Sequence, residues 1–373
     1  MLKQSRQQKQ PKQLKPESSL LNFDISIKKV SLTQKALFAK HLSVMLKAGL
    51  TLPEALAIIQ DQASGKFKKI LAGVLLSVRS GQSLSSSFAR YPKTFSGLFI
   101  NVTRAGEVSG SLEENLSNIA EQLEKDRDLK AKIQGAMLYP VVVSGVALAM
   151  GLAISFFVLP KITPLFEGLK IDLPITTRGL IWFSNIIRED GFWLMSGILV
   201  FFTFFFWLIR QKFSNPATHW ILLRAPIVKK IVRESNLARF SRTLGMLTKS
   251  GLNIDEALEI TKTTLGNYYF RKSIADVSRR VSKGSKITVA LVEYEDLYPK
   301  ITTQMIKVGE KSGKLEETLF YLAEFYEKEV DNATKSLSTV IEPIMLIVIG
   351  LLVAFLALSI ITPIYEITGG VKR

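Results

Sequence analysis

A short stretch of this chain is written twice, and that duplication limits what the chain can fold into more than any other feature. Ala105-Gly106-Glu107-Val108-Ser109-Gly110-Ser111-Leu112-Glu113-Glu114 is answered by Val308-Gly309-Glu310-Lys311-Ser312-Gly313-Lys314-Leu315-Glu316-Glu317 at an offset of 203 residues. Upstream, the run from Leu42 to Gly49-Leu50 is answered by the run from Leu244 to Gly251-Leu252 at offset 202. One residue therefore separates the copies between these segments, a length change that a loop tolerates. The unit is roughly 130 residues, too long a period for a solenoid. The chain is a tandem duplication, and each half must fold in the same way.

Hydropathy sets the environment. Of the 373 residues, 47% are hydrophobic, but they are unevenly spread. Gln134 to Pro160 is 27 residues without a charge, Gly191 to Ile209 is 19, and Pro343 to Tyr365 is 23. About 20 apolar residues cross the bilayer core, so three spans are expected, at 138–160, 191–209 and 339–363. The first and third carry prolines near each end: Pro140 and Pro160, Pro343 and Pro363. No apolar run follows the Lys/Gln-rich N-terminus, so it does not read as a cleavable signal.

The net charge of +17 would suit a nucleic-acid binder, and its distribution tests that idea. Residues 1–137 hold 21 Lys/Arg against 11 Asp/Glu, residues 161–190 hold 4 against 4, and residues 210–338 hold 22 against 15. Lys and Arg stay on the cytoplasmic side of membrane segments. The two basic units are thus expected in the cytoplasm, with the 161–190 loop and the 364–373 C-terminus outside. Two spans lie between the duplicated units, the even number needed to return the chain to the same face. A membrane-anchored basic nucleic-acid-binding protein is the rival reading, but no recognised nucleic-acid motif accompanies the charge.

Each unit reads as all-α. Residues 1–30 form a basic tail of low hydrophobicity, expected to be disordered. Ser31-Leu32-Thr33-Gln34 has the spacing of a reciprocal helix cap, and Thr51-Leu52-Pro53-Glu54 starts a second helix in the same manner. Gly49 and Gly251 stand where a helix ends in the left-handed conformation. A third helix over 66–79, a fourth capped by Ser83, a fifth over about 95–105 ended by Gly106, and a sixth capped by Ser111 complete the unit. No alternating strand pattern appears. The expected architecture is an all-α integral membrane protein with two cytoplasmic bundles of about six helices each (31–137 and 210–338) and three transmembrane helices. From Ser111 to Pro160 only the kink allowed at Pro140 interrupts the helical pattern. The last bundle helix and the membrane helix are therefore expected to be one.

Chemistry is sparse. The chain has no cysteine, which removes disulfides, thiolate metal sites and thiol nucleophiles. Its two histidines, His41 and His219, are far apart. Gly309 to Lys314 imitates a phosphate loop but has three residues between its glycines instead of four, and Leu315 stands where Ser or Thr belongs. The acidic pairs Glu113/Glu114, Glu316/Glu317 and Glu324/Glu327 read as solvated helix faces. Charge-free spans argue against an ion pathway or transporter, and no nucleophile, base and orienter set is present. No enzyme activity, cofactor or metal is expected. In the repeated motif, Gly106 and Gly309 read as helix ends and Gly110 and Gly313 as turn formers. Leu112 and Leu315 open the next apolar stripe. Glu107 and Glu310 read as local caps, with contact to a partner as the alternative.

These residues resemble a known family, the type II secretion F-domain proteins, the inner-membrane platform proteins of type IV pilus, type II secretion and competence machines. The resemblance rests on the two Gly-Glu-x-x-Gly-x-Leu segments (106–112 and 309–315) and the Leu-to-Gly-Leu segments at Gly49 and Gly251. Tyr139-Pro140, Glu342-Pro343 and the domain–span–span–domain–span order also match, and the likeness covers about residues 33–369. Two departures make the units inequivalent. Tyr298-Pro299 keeps the family's aromatic-Pro pair where the first unit has Phe95-Ser96, and Glu342 replaces Tyr139. The resemblance implies a non-catalytic scaffold in the bacterial inner membrane. Its partners would be a hexameric assembly ATPase, pilin or pseudopilin subunits, other inner-membrane assembly components and further copies of itself, with no specific nucleic acid.

Overall fold

The computed structural model describes residues 30–154, 215–226 and 228–370, with isolated residues at 157, 178–179, 182, 196–197, 200 and 203. The N-terminal tail, the 161–190 loop, the 191–209 span and Pro160 lie outside the described residues, apart from those isolated positions.

Local sequence starts and stops the helices of the first unit. α1 (Leu32–Lys47) opens on the reciprocal cap: the Ser31 hydroxyl accepts from Gln34 N at 3.1 Å, and Gln34 Oε1 accepts from Ser31 N at 3.0 Å. α2 (Leu52–Gln62) opens on Thr51, whose N–H donates to Glu54 at 3.1 Å. α3 (Gly65–Arg79) follows, and α4 (Leu84–Ala89) is capped by the Ser83 hydroxyl, which accepts from Ser86 N at 3.2 Å. α5 spans Gly97–Ser109, and α6 runs unbroken over Leu112–Ala153. Gly49 follows the end of α1 with φ of +88°, and Gly251 follows the end of the corresponding helix of the second unit with φ of +80°.

The second unit repeats this order. α7 (Asn215–Arg224) precedes it, and α8 (Val228–Lys249), α9 (Ile254–Thr264), α10 (Tyr268–Val281), α11 (Ile287–Val292) and α12 (Lys300–Ser312) then correspond to α1 to α5. α13 (Leu315–Gly370) corresponds to α6. Helix continues through Pro140 and Pro343, and through Pro363 to Gly370, so the last proline does not close the helix.

Each unit is held by an aromatic core in which the repeat is visible. Phe38 packs with Phe67, Phe88, Phe95 and Phe99, with ring centroids 5.7 to 6.3 Å apart. Its counterpart Phe240 meets Tyr298 at 5.5 Å, and Phe270, the counterpart of Phe67, meets Tyr298 at 5.4 Å. The Tyr298 hydroxyl, fully buried, hydrogen-bonds Ser273 at 3.0 Å. Elsewhere the units solve one packing problem differently. A Cβ on Gly73 would lie 2.0 Å from the Tyr91 hydroxyl. In the second unit Asp276 stands at that position and accepts from Tyr294 Oη at 3.0 Å.

Beyond the bundles, α6 and α13 turn outward-facing and apolar on all sides. Val141, Val146 and Leu148 are exposed, as are Leu346, Ile347 and Leu351. Both helices are long and apolar enough to cross a membrane. At 1.5 Å per residue, the 42 residues of α6 and the 56 of α13 reach about 63 and 84 Å. Either length covers the bilayer core and a bundle as well. Just below the apolar ends, Ile133 and Ala136 of α6 pack on Ile231, Ala333 and Leu337.

Candidate functional site

The repeated Gly-Glu motif makes its contacts away from its own turn. Glu107 sits in the last turns of α5, half-buried, and its carboxylate reaches the start of α4. It accepts from Leu84 N, from Ser85 N at 3.2 Å and from the Ser85 hydroxyl at 2.5 Å. Glu310 does the same for α11, accepting from Ile287 N at 2.7 Å, from Thr288 N at 3.2 Å and from the Thr288 hydroxyl. The first backbone N–H groups of a helix have no partner within it and carry the positive end of its dipole. A carboxylate placed across them ties α5 to the start of α4 and α12 to the start of α11. The expected role as a cap of the local turn is thus replaced by a cap on a helix 22 to 23 residues earlier.

The glycines divide their work differently from the expectation. Gly106 and Gly309 do not end their helices, because α5 and α12 continue to Ser109 and Ser312. They are sites of close helix approach. A Cβ on Gly106 would lie 3.0 Å from Leu112 Cα and 2.9 Å from Asn115 Nδ2, and one on Gly309 would lie 3.0 Å from Leu315 Cα and 2.9 Å from Thr318 Oγ1. Gly110 and Gly313 end the helices, with φ of +73° and +72°. Leu112 and Leu315 then open α6 and α13 and pack against the core. Ser111 does not cap α6; its hydroxyl instead bonds Ser109 at 2.7 Å and accepts from Asn115 at 3.3 Å. The motif is a hinge-like corner between two helices, stiffened from both sides.

A second constellation lies between the units. α6 of the first unit rests in the groove between α8 and α13 of the second, and charged side chains line the seam. Arg242 is 7% exposed; its Nε donates to Glu327 and its Nη1 lies 3.5 Å from Glu121. Arg239 Nε meets Asp126 at 3.0 Å, Lys125 meets Glu327 at 3.5 Å, Lys132 meets Asp331 at 3.1 Å, and Lys249 meets Glu114 at 3.4 Å. Ser250 Oγ donates to Asn115 at 2.8 Å. Lys125–Glu327 and Lys132–Asp331 run in the same direction along α6 and α13, so the two long helices are parallel, whereas the pairs to Arg239, Arg242 and Lys249 run in opposite directions along α6 and α8.

This seam was hidden in the sequence, although the repeat held a clue. Lys40–Glu124, at 3.4 Å, is the first-unit counterpart of Arg242–Glu327. The change from Lys to Arg marks the copy that must serve two carboxylates, which a planar guanidinium does and a point charge does poorly. Beside the seam, burial pushes the Glu234 carboxyl up to about 7, offset by the Lys230 ammonium 3.8 Å away.

Nothing in these geometries is set for bond making. The carboxylates are engaged by backbone N–H groups or by cations, and among the described residues no group of three His, Cys, Asp or Glu side chains is placed to hold a metal ion. His41 is exposed, and His219 Nδ1 accepts from Tyr268 N at 2.9 Å. What the chain builds is two stiff bundles, each continued into a long apolar helix: a membrane-embedded all-α scaffold. The chain belongs to the family of type II secretion system (T2SS) protein F, which matches it over residues 38–160 and 240–363. Members of this family are non-catalytic platform proteins. Among its relatives, the type IV pilus assembly protein PilC of Thermus thermophilus is 35% identical, covering 90% of this chain and 82% of its own. The PilC of Pseudomonas aeruginosa is 32% identical, covering 91% of each. The type II secretion system protein F of Aeromonas hydrophila is 32% identical, covering 92% and 88%.

Proposed function

We propose that this chain is the inner-membrane platform of a filament-building machine, coupling a cytoplasmic assembly ATPase to the polymerisation of pilin or pseudopilin subunits. The observation that carries the reading is mechanical: each bundle continues without a break into a helix long and apolar enough to cross a membrane, and the two long helices lie parallel against each other. A force applied to a bundle is transmitted along such a helix, and the seam makes the two bundles move together. Relatives named for pilus assembly and for type II secretion support the same role in either machine.

In this reading both bundles and the N-terminus are cytoplasmic, three helices cross the membrane, and the loop at 161–190 and the short C-terminus lie outside. The charge distribution supports that orientation. Hexameric ATPase and other inner-membrane assembly components engage the bundles, filament subunits engage the spans, and copies of the chain associate with one another. Pro140 and Pro343 remove one helix hydrogen bond each at the membrane boundary, which makes them the points where the long helices bend under load. Replacing both with Leu tests the coupling. Filament assembly or secretion is expected to fall while the protein level stays constant; wild-type assembly in that variant would remove the prolines from the mechanism.

A further inference from the structure

The contact between the two units is one-sided, and its unused half is displayed on the surface. Within the chain, α8 of the second unit docks on α6 of the first. In the repeat alignment, the counterpart of α8 is α1 and the counterpart of α6 is α13. Five ion pairs join the units. Arg239–Asp126 has no charged counterpart pair, because Leu37 and Glu329 stand at its repeat positions; the other four are Arg242–Glu121, Lys249–Glu114, Lys125–Glu327 and Lys132–Asp331. Shifting each residue by the repeat offset gives Lys40–Glu324, Lys47–Glu317, Lys328–Glu124 and Lys335–Asp128. All four keep opposite charges in the same orientation, yet none of them forms within the chain.

The apolar part of the surface follows the same rule. Asn118 of α6 and Met246 of α8 line one crevice in the seam, and Met246 is 3% exposed. Their counterparts are Tyr321 and Val44, which are 55% and 59% exposed. Leu37, beside Val44 on α1, is 46% exposed, where its counterpart Arg239 is engaged with Asp126. Lys40 and Glu124 pair with each other across α1 and α6 at 3.4 Å, and further local partners are Lys314 for Glu317, Arg127 for Asp128 and Asp331 for Lys335, each within four residues. Exposed pairs of this kind contribute about 0–1 kcal/mol and exchange readily.

We propose that copies of this chain associate head to tail, α13 of one copy docking against α1 and α6 of the next, so that the contact between the units is repeated between molecules. The occupant of the exposed face is a second copy, identified by its charge complementarity and by continuity with the internal seam. A one-sided contact of this type propagates until it closes on itself. Because α6 and α13 are parallel and both lead into the membrane, the operation that relates the units turns about an axis near the membrane normal, and its repetition favours a closed ring in the plane.

The inference rests on the homo-oligomer reading above, and the absence of cysteine gives it a clean test. Full-length Val44→Cys and Tyr321→Cys chains, both changed at exposed positions, are expressed in membranes separately and together and treated with a short bis-maleimide. A crosslinked dimer is expected only when both chains are present, and a ladder when one chain carries both cysteines. A dimer from Val44→Cys alone would overturn the head-to-tail geometry. Absence of the mixed crosslink in a protein that native mass spectrometry shows to be oligomeric would overturn the surface alone; a monomeric mass would overturn oligomerisation as well. As a second arm, Lys47→Glu and Glu317→Lys are each expected to weaken association about tenfold, and their co-expression to restore it. Unchanged association in both single variants would contradict the pairing.

Discussion

Loss of the Glu310 carboxylate is the most informative single change in the second unit. In Glu310→Ala, the N–H groups of Ile287 and Thr288 and the Thr288 hydroxyl lose their common acceptor. Thr288 is 7% exposed, so water replaces that acceptor incompletely. One buried donor left unmade costs about 1–3 kcal/mol, and a lost helix cap costs about 1 kcal/mol more. The sum, about 3 kcal/mol, corresponds to a fall in melting temperature of roughly 10 °C for a unit of this size. Hydrogen exchange on the full chain in detergent gives the local measurement: the amides at the start of α11 are expected to lose protection by about a hundredfold. Glu107→Ala is expected to do the same at Leu84 and Ser85, and Glu310→Gln to have a smaller effect. The reasoning fails if Glu310→Ala keeps its melting temperature and its α11 protection. If filament assembly is nevertheless lost in that variant, the carboxylate acts on a partner and not as a cap.

Other outcomes follow from the same geometry. Gly309→Ala places a methyl group 3.0 Å from the Leu315 backbone and is expected to destabilise the unit by about 1–3 kcal/mol in chemical denaturation. Arg242→Ala removes the buried guanidinium that joins Glu121 and Glu327 across the seam, while Lys125 stays beside Glu327, and is expected to cost about 1–3 kcal/mol. It should also split one calorimetric transition into two, whereas Lys40→Ala, at a site 55% exposed, should cost under about 1 kcal/mol. The Glu234 carboxyl is raised to about 7 by burial, so the folded state holds its proton where the unfolded chain, at 4.5, has released it. Stability is therefore expected to fall as pH rises from about 4.5 to 7, and Glu234→Gln should flatten that part of the pH profile.

Local signals were legible in the sequence, and long-range ones were not. The Ser31/Gln34 and Thr51/Glu54 caps involve neighbours, and their spacing alone locates the helix starts. Gly106 reads as a helix breaker in one dimension. Its actual reason for being glycine is the backbone of Leu112, which approaches only once α6 folds back on α5. Glu107 reads as a local cap because its partners at Leu84 and Ser85 are over twenty residues away. The seam is harder still, since Arg242 has a near-equivalent in Lys40 and only the docking of the second unit buries one and leaves the other in water. The duplication itself carries the fold, because two copies of one helical order leave a single reading of where each helix belongs.

The measurement closest to the central claim is a mild-detergent pull-down of the tagged protein from its native cells, with co-purifying proteins identified by mass spectrometry. The platform account predicts recovery of an assembly ATPase together with pilin-like subunits, whose identity also names the machine. Recovery of nucleic acid that washes off with salt, with neither ATPase nor pilin-like subunits, would contradict it.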